Sequence, residues 1–207
     1  MQAGASDVGR IGPNAITRVA EALGPDRAAT LFRAAGLEAR LRAPPSRMVP
    51  EQDVTALHRA LRSSLGEAQA DDVARQAGRL TAAYLLAHRI PRPLQWLLRR
   101  LPARLAARIL VAAIGRHAWT FAGSGRFRVI GGWPLRLEIA GGPIARAMPS
   151  STPVCGYYAA TFETLFQALV SADTSVEEVS CEAMGSPSCL FELRWRTPEG
   201  AMLARSR

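Results

Sequence analysis

Hydrophobic positions in the first 120 residues recur at three- and four-residue spacing, the mark of helices with one buried face. Gly12-Pro13-Asn14 opens a first helix carrying Ile16, Val19, Ala20 and Leu23, and Gly24-Pro25 stops it. A second short helix holds Ala28, Leu31, Phe32 and Ala35 and ends at Gly36. Arg42-Ala43-Pro44-Pro45-Ser46 reads as a linker, because paired prolines cannot continue a helix. Glu51 to Leu65 is helical again, with Val54, Leu57 and Leu61 on one side, and Gly66 breaks it. Ala68 to Arg89 is the longest helical stretch, ended by Pro91 and Pro93. Pro93 to Leu101 makes a short helix of leucine, Trp96 and arginine. Pro102 then starts one more, which runs to about Phe121.

After Gly123-Ser124-Gly125 the period changes to two. Phe127 and Val129 alternate with Arg126 and Arg128, and Leu135, Leu137 and Ile139 with Arg136 and Glu138. These are two half-buried antiparallel strands joined at Gly131-Gly132. Val154 to Ser171 is a helix whose wide apolar face, with Tyr157, Tyr158, Phe162, Leu165, Phe166 and Leu169, belongs against a sheet. Ser175 to Met184 and Ser188 to Trp195 form a second strand pair around a turn at Gly185. The expected fold is α+β: a helical N-terminal half packed on a four-stranded antiparallel sheet. Residues 1–45 are expected as an N-terminal helical extension, 46–197 as a ligand-binding domain and 198–207 as a loose tail.

Charge adds a second pattern. The 26 basic residues are all arginine, and the net charge is +9. Between Val73 and Leu137 there are twelve arginines and no Asp or Glu. A block of one sign suggests an anionic partner such as a membrane surface, nucleic acid or an acidic small molecule; the plainer reading is a set of solvated helix faces. From Arg89 to Arg108 the arginines alternate with Leu, Trp and Ile, as on an interfacial helix or on a helix pair with a solvated basic face. The polar start is not a secretory leader, and arginines interrupt the most apolar window, Ala103 to Ala122. The expectation is a cytoplasmic protein, attached at most peripherally to a membrane.

The chemistry concentrates in the last third of the chain. The three cysteines, Cys155, Cys181 and Cys189, fall there, and Glu178 lies three residues before Cys181. Three thiolates and a carboxylate complete a closed tetrahedral site of the kind a structural zinc ion requires. Gly185-Ser186-Pro187 can turn the chain so that Cys189 faces Cys181, with Cys155 arriving from the preceding helix. The spacing is not one of the common paired-cysteine patterns, so small buried hydrophobes remain the alternative. An odd cysteine count argues against a disulfide framework.

The segment Cys181-Glu182-Ala183-Met184-Gly185-Ser186-Pro187-Ser188-Cys189, with Glu178 and Cys155 upstream, resembles the core of the vinyl-4-reductase domain family. That family shares its fold with haem nitric-oxide-binding domains. In its phenol-sensing members the residues matching Cys155, Glu178, Cys181 and Cys189 bind zinc, so the resemblance implies a structural zinc site here. The run from His117 to Gly125 resembles the members associated with bacteriochlorophyll biosynthesis, which implies a chlorophyll-precursor tetrapyrrole as ligand.

The family's name implies reduction of a vinyl group, which needs a hydride-carrying cofactor. Gly123-Ser124-Gly125 lacks the third glycine of a dinucleotide fingerprint and leads into a strand, so it reads as a turn. Neither Ser150-Ser151 nor Glu177-Glu178 forms a recognisable catalytic set. A tetrapyrrole wants an apolar slot, a cation for its acidic edge and an imidazole for a central metal. His117 is the first candidate and His88 the second. Tyr84 shares a helix face with His88, Trp119 and Phe121 are candidate wall residues, and Arg126 and Arg128 candidate anion contacts. The plainer readings are structural histidines, core aromatics and surface arginines. The expected role is a carrier or accessory factor; an 8-vinyl reductase and a small-molecule sensor are the alternatives. Expected partners are the tetrapyrrole, enzymes of that pathway, an anionic membrane surface and a second copy of the chain. Nucleic acid is not among them, for want of a helix-turn-helix pair.

Overall fold

A computed structural model describes residues 9–146 and 148–196 of the chain. The helical half comprises α1 (Asn14–Leu23), α2 (Pro25–Ala34), α3 (Glu38–Arg42), α4 (Glu51–Leu65), α5 (Glu67–His88), α6 (Arg92–Arg100), α7 (Ala103–Arg116) and α8 (Trp119–Ala122). A small ladder of β1 (Arg10–Ile11) and β2 (Val49–Pro50) closes its start. There follow β3 (Arg126–Ile130), β4 (Leu135–Ala140), α9 (Gly156–Leu169), β5 (Ser175–Ser180) and β6 (Cys189–Arg194). The four strands form one antiparallel sheet in the order β3-β4-β6-β5. The fold is the expected α+β arrangement; the tail at 198–207 lies outside the described residues.

Alternation along the strands decides the layers. Leu137 and Ile139 of β4, Cys189, Phe191 and Leu193 of β6, and Val176 and Glu178 of β5 are buried on one face. The other face carries an ionic ladder, with Arg128 paired to Glu138 at 2.6 Å and Arg136 and Arg194 both paired to Glu192. Against the buried face lies α9, with Phe162 and Phe191 ring centroids 5.5 Å apart. Behind α9 lies α5, so α9 is sandwiched and buried nearly all round. One continuous core joins Ile16, Val19 and Phe32 of the first two helices to Phe166 and Phe191.

Two elements differ from the sequence reading. The helix expected from Pro102 to Phe121 is divided at His117. There the chain tightens into three-residue bonds, from the His117 N–H to the Ile114 carbonyl and from the Ala118 N–H to the Gly115 carbonyl. Carbonyls of α8 then serve distant donors: Thr120 accepts from the Gly12 N–H at 2.7 Å and Phe121 from the Tyr158 hydroxyl at 2.7 Å. The strand expected to reach Met184 ends at Ser180. Beyond it the Cys181 carbonyl accepts from the Met184 and Ser186 N–H groups, and Gly185, at φ 89°, closes the loop.

Candidate metal centre

Glu178 and Cys181 are three apart, and on a regular strand an odd separation sends side chains to opposite faces. A break in the β5–β6 register between Glu178 and Ser180 re-phases the chain, so that both face the core. The loop after Cys181 brings Cys189 back alongside. Cys155 comes not from within α9, as expected, but from its N-terminal edge, where its carbonyl accepts from Tyr158 and Ala159. Its own N–H donates to Glu178 Oε2 at 2.8 Å.

The four side chains converge. All are buried, and one donor atom from each lies within 4.8 Å of the others. Cys155 Sγ is 3.4 Å from Cys189 Sγ, and Cys189 Sγ is 3.9 Å from Cys181 Sγ. These separations are far too long for a disulfide, and all three cysteines are free thiols. Thiolates held about 2.3 Å from a tetrahedral zinc ion lie about 3.8 Å apart, so the spacing fits that ion. The donors are also incompletely satisfied by one another: Glu178 Oε1 is buried with no hydrogen-bond partner.

Electrostatics point the same way. Burial, with the neighbouring Cys181, pushes the Glu178 carboxyl up to about 8. The Cys155 thiol is driven up by its bonds with Cys181 and Cys189 and by burial, whereas bonds from Cys155 and Cys189 hold Cys181 down. Four acidic groups are crowded into an apolar cage that tolerates little of their combined negative charge. A divalent cation is the counter-charge that would let them ionise together.

The ligand candidates are placed less compactly. Tyr84 and His88 do meet, with ring centroids 4.8 Å apart on α5, and Arg18 lies over the Tyr84 ring. His117 is exposed and turns Nδ1 onto the Ala113 carbonyl at 2.9 Å, while Trp119 is exposed on α8. Phe121 packs edge-on against Phe127, Tyr158 and Phe162, an aromatic cluster beside the sheet. Arg128 is engaged with Glu138, whose carboxyl it holds below the usual range. Arg126 is exposed and lines a hollow of about 320 Å³ with Ser124, Gly141 and Arg146.

Beside that hollow lies a polar cluster that sequence reasoning missed. Glu51 is 3% exposed; it pairs with Arg146 and accepts from the backbone N–H and the hydroxyl of Ser124, both at 2.7 Å. Burial alone would raise its carboxyl, but the Ser124 N–H, Arg146 and the Ser124 hydroxyl outweigh it and hold the group low. Gly123, at φ 61°, is required here, since a Cβ would stand 2.3 Å from Glu51 Oε2. An acidic residue opening a helix normally signals solvent, so no local pattern could have identified this one.

Comparison with known proteins accords with this geometry. The family model for the vinyl-4-reductase domain matches residues 135–195, the span that holds all four donors. The chain is 47% identical over 188 residues to the "Bacteriochlorophyll synthase 23 kDa chain" of Cereibacter sphaeroides, covering 89% of this chain and 90% of that one. It is 42% identical over 200 residues to the protein of the same name from Rhodobacter capsulatus, covering 95% and 92%. Among solved structures, the phenol-responsive sensory domain of the transcription activator PoxR, crystallised with phenol, aligns with a TM-score of 0.53 at 14% identity, over 77% of this chain and 82% of that one. That likeness establishes a shared fold. The chain belongs to the family of the bacteriochlorophyll synthase 23 kDa chains, built on the vinyl-4-reductase domain.

Proposed function

We propose that the protein takes part in bacteriochlorophyll biosynthesis as an accessory chain that binds a chlorophyll-precursor tetrapyrrole and is held together by a structural zinc ion. The observation that carries the first part is the 47% identity, over 90% of its length, to a relative named as a 23 kDa chain of bacteriochlorophyll synthase. Support for the zinc ion comes from the buried cluster of Cys155, Glu178, Cys181 and Cys189. Four protein donors fill a tetrahedron and leave no open position for substrate, which suits a structural ion rather than a catalytic one. Cys155 would tie the start of α9, Glu178 and Cys181 the end of β5, and Cys189 the start of β6.

Incubating the purified protein with a divinyl chlorophyll precursor, with and without NADPH, tests the role. Spectral perturbation of the pigment without loss of its 8-vinyl group is the expected result. Reduction of that group by the protein alone would instead establish a reductase, and absence of any pigment binding would defeat the accessory reading.

A further inference from the structure

The helix pair α6–α7 presents large apolar side chains to solvent. Trp96 is 58% exposed, and Leu97 and Leu105 are each 43% exposed. Their outward direction is built in. On the inner side of α6, Gln95 and Leu98 are buried, and Gln95 donates to the Leu86 and Ile90 carbonyls at 2.6 and 2.8 Å. Arg99 anchors the same helix to the Ala168 carbonyl at 3.0 Å. Between the two helices lies a hollow of about 560 Å³ whose apolar wall is Leu94, Leu105, Ile109 and two alanines, completed by Arg108 and Arg116. The pair sits inside the stretch from Val73 to Leu137, where twelve arginines occur without a single Asp or Glu.

A merely solvated basic face would turn its arginines outward and its Trp and Leu inward. Here both kinds face out, as in helices that lie in a bilayer interface with arginine stems along the apolar surface and guanidinium groups at the phosphates. Other occupants fit less well. A second copy would set arginine against arginine. A nucleic acid needs open aromatic faces for stacking, and the Trp96 ring is already covered by the Arg100 guanidinium at 4.6 Å. No helix of the described residues is long and apolar enough to cross a membrane, so the contact is one of surface docking.

We infer that the α6–α7 face docks the protein on an anionic phospholipid surface, with Trp96, Leu97 and Leu105 entering the interface and Arg108 and Arg116 meeting the head groups. The inference is independent of the tetrapyrrole reading.

Flotation with phosphatidylglycerol-containing vesicles and with neutral phosphatidylcholine vesicles tests it. Binding is expected to the anionic vesicles only and to weaken as salt rises. The double variant Arg108→Glu/Arg116→Glu should lose at least about tenfold in affinity, since each basic residue near the surface contributes materially. The variant Arg27→Glu/Arg47→Glu, with the same charge change on exposed residues elsewhere, should lose much less. Brominated lipid should quench tryptophan emission in the wild type, and Trp96→Phe should remove most of that quenching. Four results would overturn the inference: no anionic-vesicle binding at low salt; equal loss in both double variants; quenching unchanged by Trp96→Phe; or an oligonucleotide, but not vesicles, binding this face.

Discussion

His58 is fully enclosed, its Nε2 has no hydrogen-bond partner, and its ring stands edge-on to Tyr157 at 6.0 Å. Burial pushes its pKa from 6.5 down to about 4. Because the folded value lies below the unfolded one, the unfolded chain takes up the proton first. The stability held by neutral His58 is therefore complete above about pH 6.5 and is lost as pH falls toward 4. The full effect is about 3 kcal/mol, of which about 2 kcal/mol is lost by pH 5. Urea unfolding at pH 7 and pH 5 should show this loss in the wild type and a much smaller one in His58→Leu. Equal slopes in the two proteins would rule the histidine out as its source. Glu51 makes the opposite case, a buried charge kept ionised by Ser124 and Arg146. Glu51→Ala strands the Ser124 N–H but lets the partly exposed Arg146 regain water, so the cost should be about 2 kcal/mol. Thermal unfolding should register a fall of roughly 5 °C.

The packing of α9 on α5 depends on the absence of a side chain at Gly78. A Cβ there would lie 2.3 Å from the Tyr157 carbonyl oxygen and 3.1 Å from the Ala160 Cβ. The contact is reinforced by the Thr161 hydroxyl, which donates to the Gly78 carbonyl, and by Tyr157, whose hydroxyl meets Thr81 at 2.8 Å. Gly78→Ala removes a flexible residue from a helix interior, which by itself favours the variant by up to about 1 kcal/mol. The clash is with backbone, however, and forcing two helices apart costs about 1–3 kcal/mol. The expected net outcome is destabilisation in urea; a variant as stable as wild type would show that the helices part freely. The β5 irregularity is the matching device on the other side of α9. Without it, Glu178 and Cys181 would face opposite sides of the sheet, and the four-donor cluster would not exist.

Seen whole, the molecule has one core and one point where α9, β5 and β6 are drawn together by polar rather than apolar groups. If zinc occupies that point, its binding energy is folding energy, because the donor set is not assembled in the unfolded chain. Gently purified protein should contain about one zinc ion per chain. Extraction with a strong chelator should lower the midpoint of thermal unfolding by roughly 5–10 °C, and restoring zinc should reverse it. Cys189→Ala should lose the ion. Metal-free wild-type protein of unchanged stability would refute the clamp.

Local periodicity determined most of the fold. The buried stripe of Val54, Leu57 and Leu61 marked α4 to its observed ends, and the alternation around Phe127 and Leu137 marked β3 and β4, because such patterns repeat within a few residues. Ligand chemistry was legible at Cys155, Glu178, Cys181 and Cys189, because thiols are few and their types declare what they can hold. Tertiary structure decided what depends on partners far away in sequence. It divided the helix at His117, whose following carbonyls are taken by Gly12 and Tyr158, and it re-phased β5 through pairing with β6. It also buried Glu51 and His58, although their immediate neighbours Gln52 and Arg59 are exposed. Whether a charge is buried, and what answers it, is set by the element packed against it, and no window of neighbouring residues contains that information.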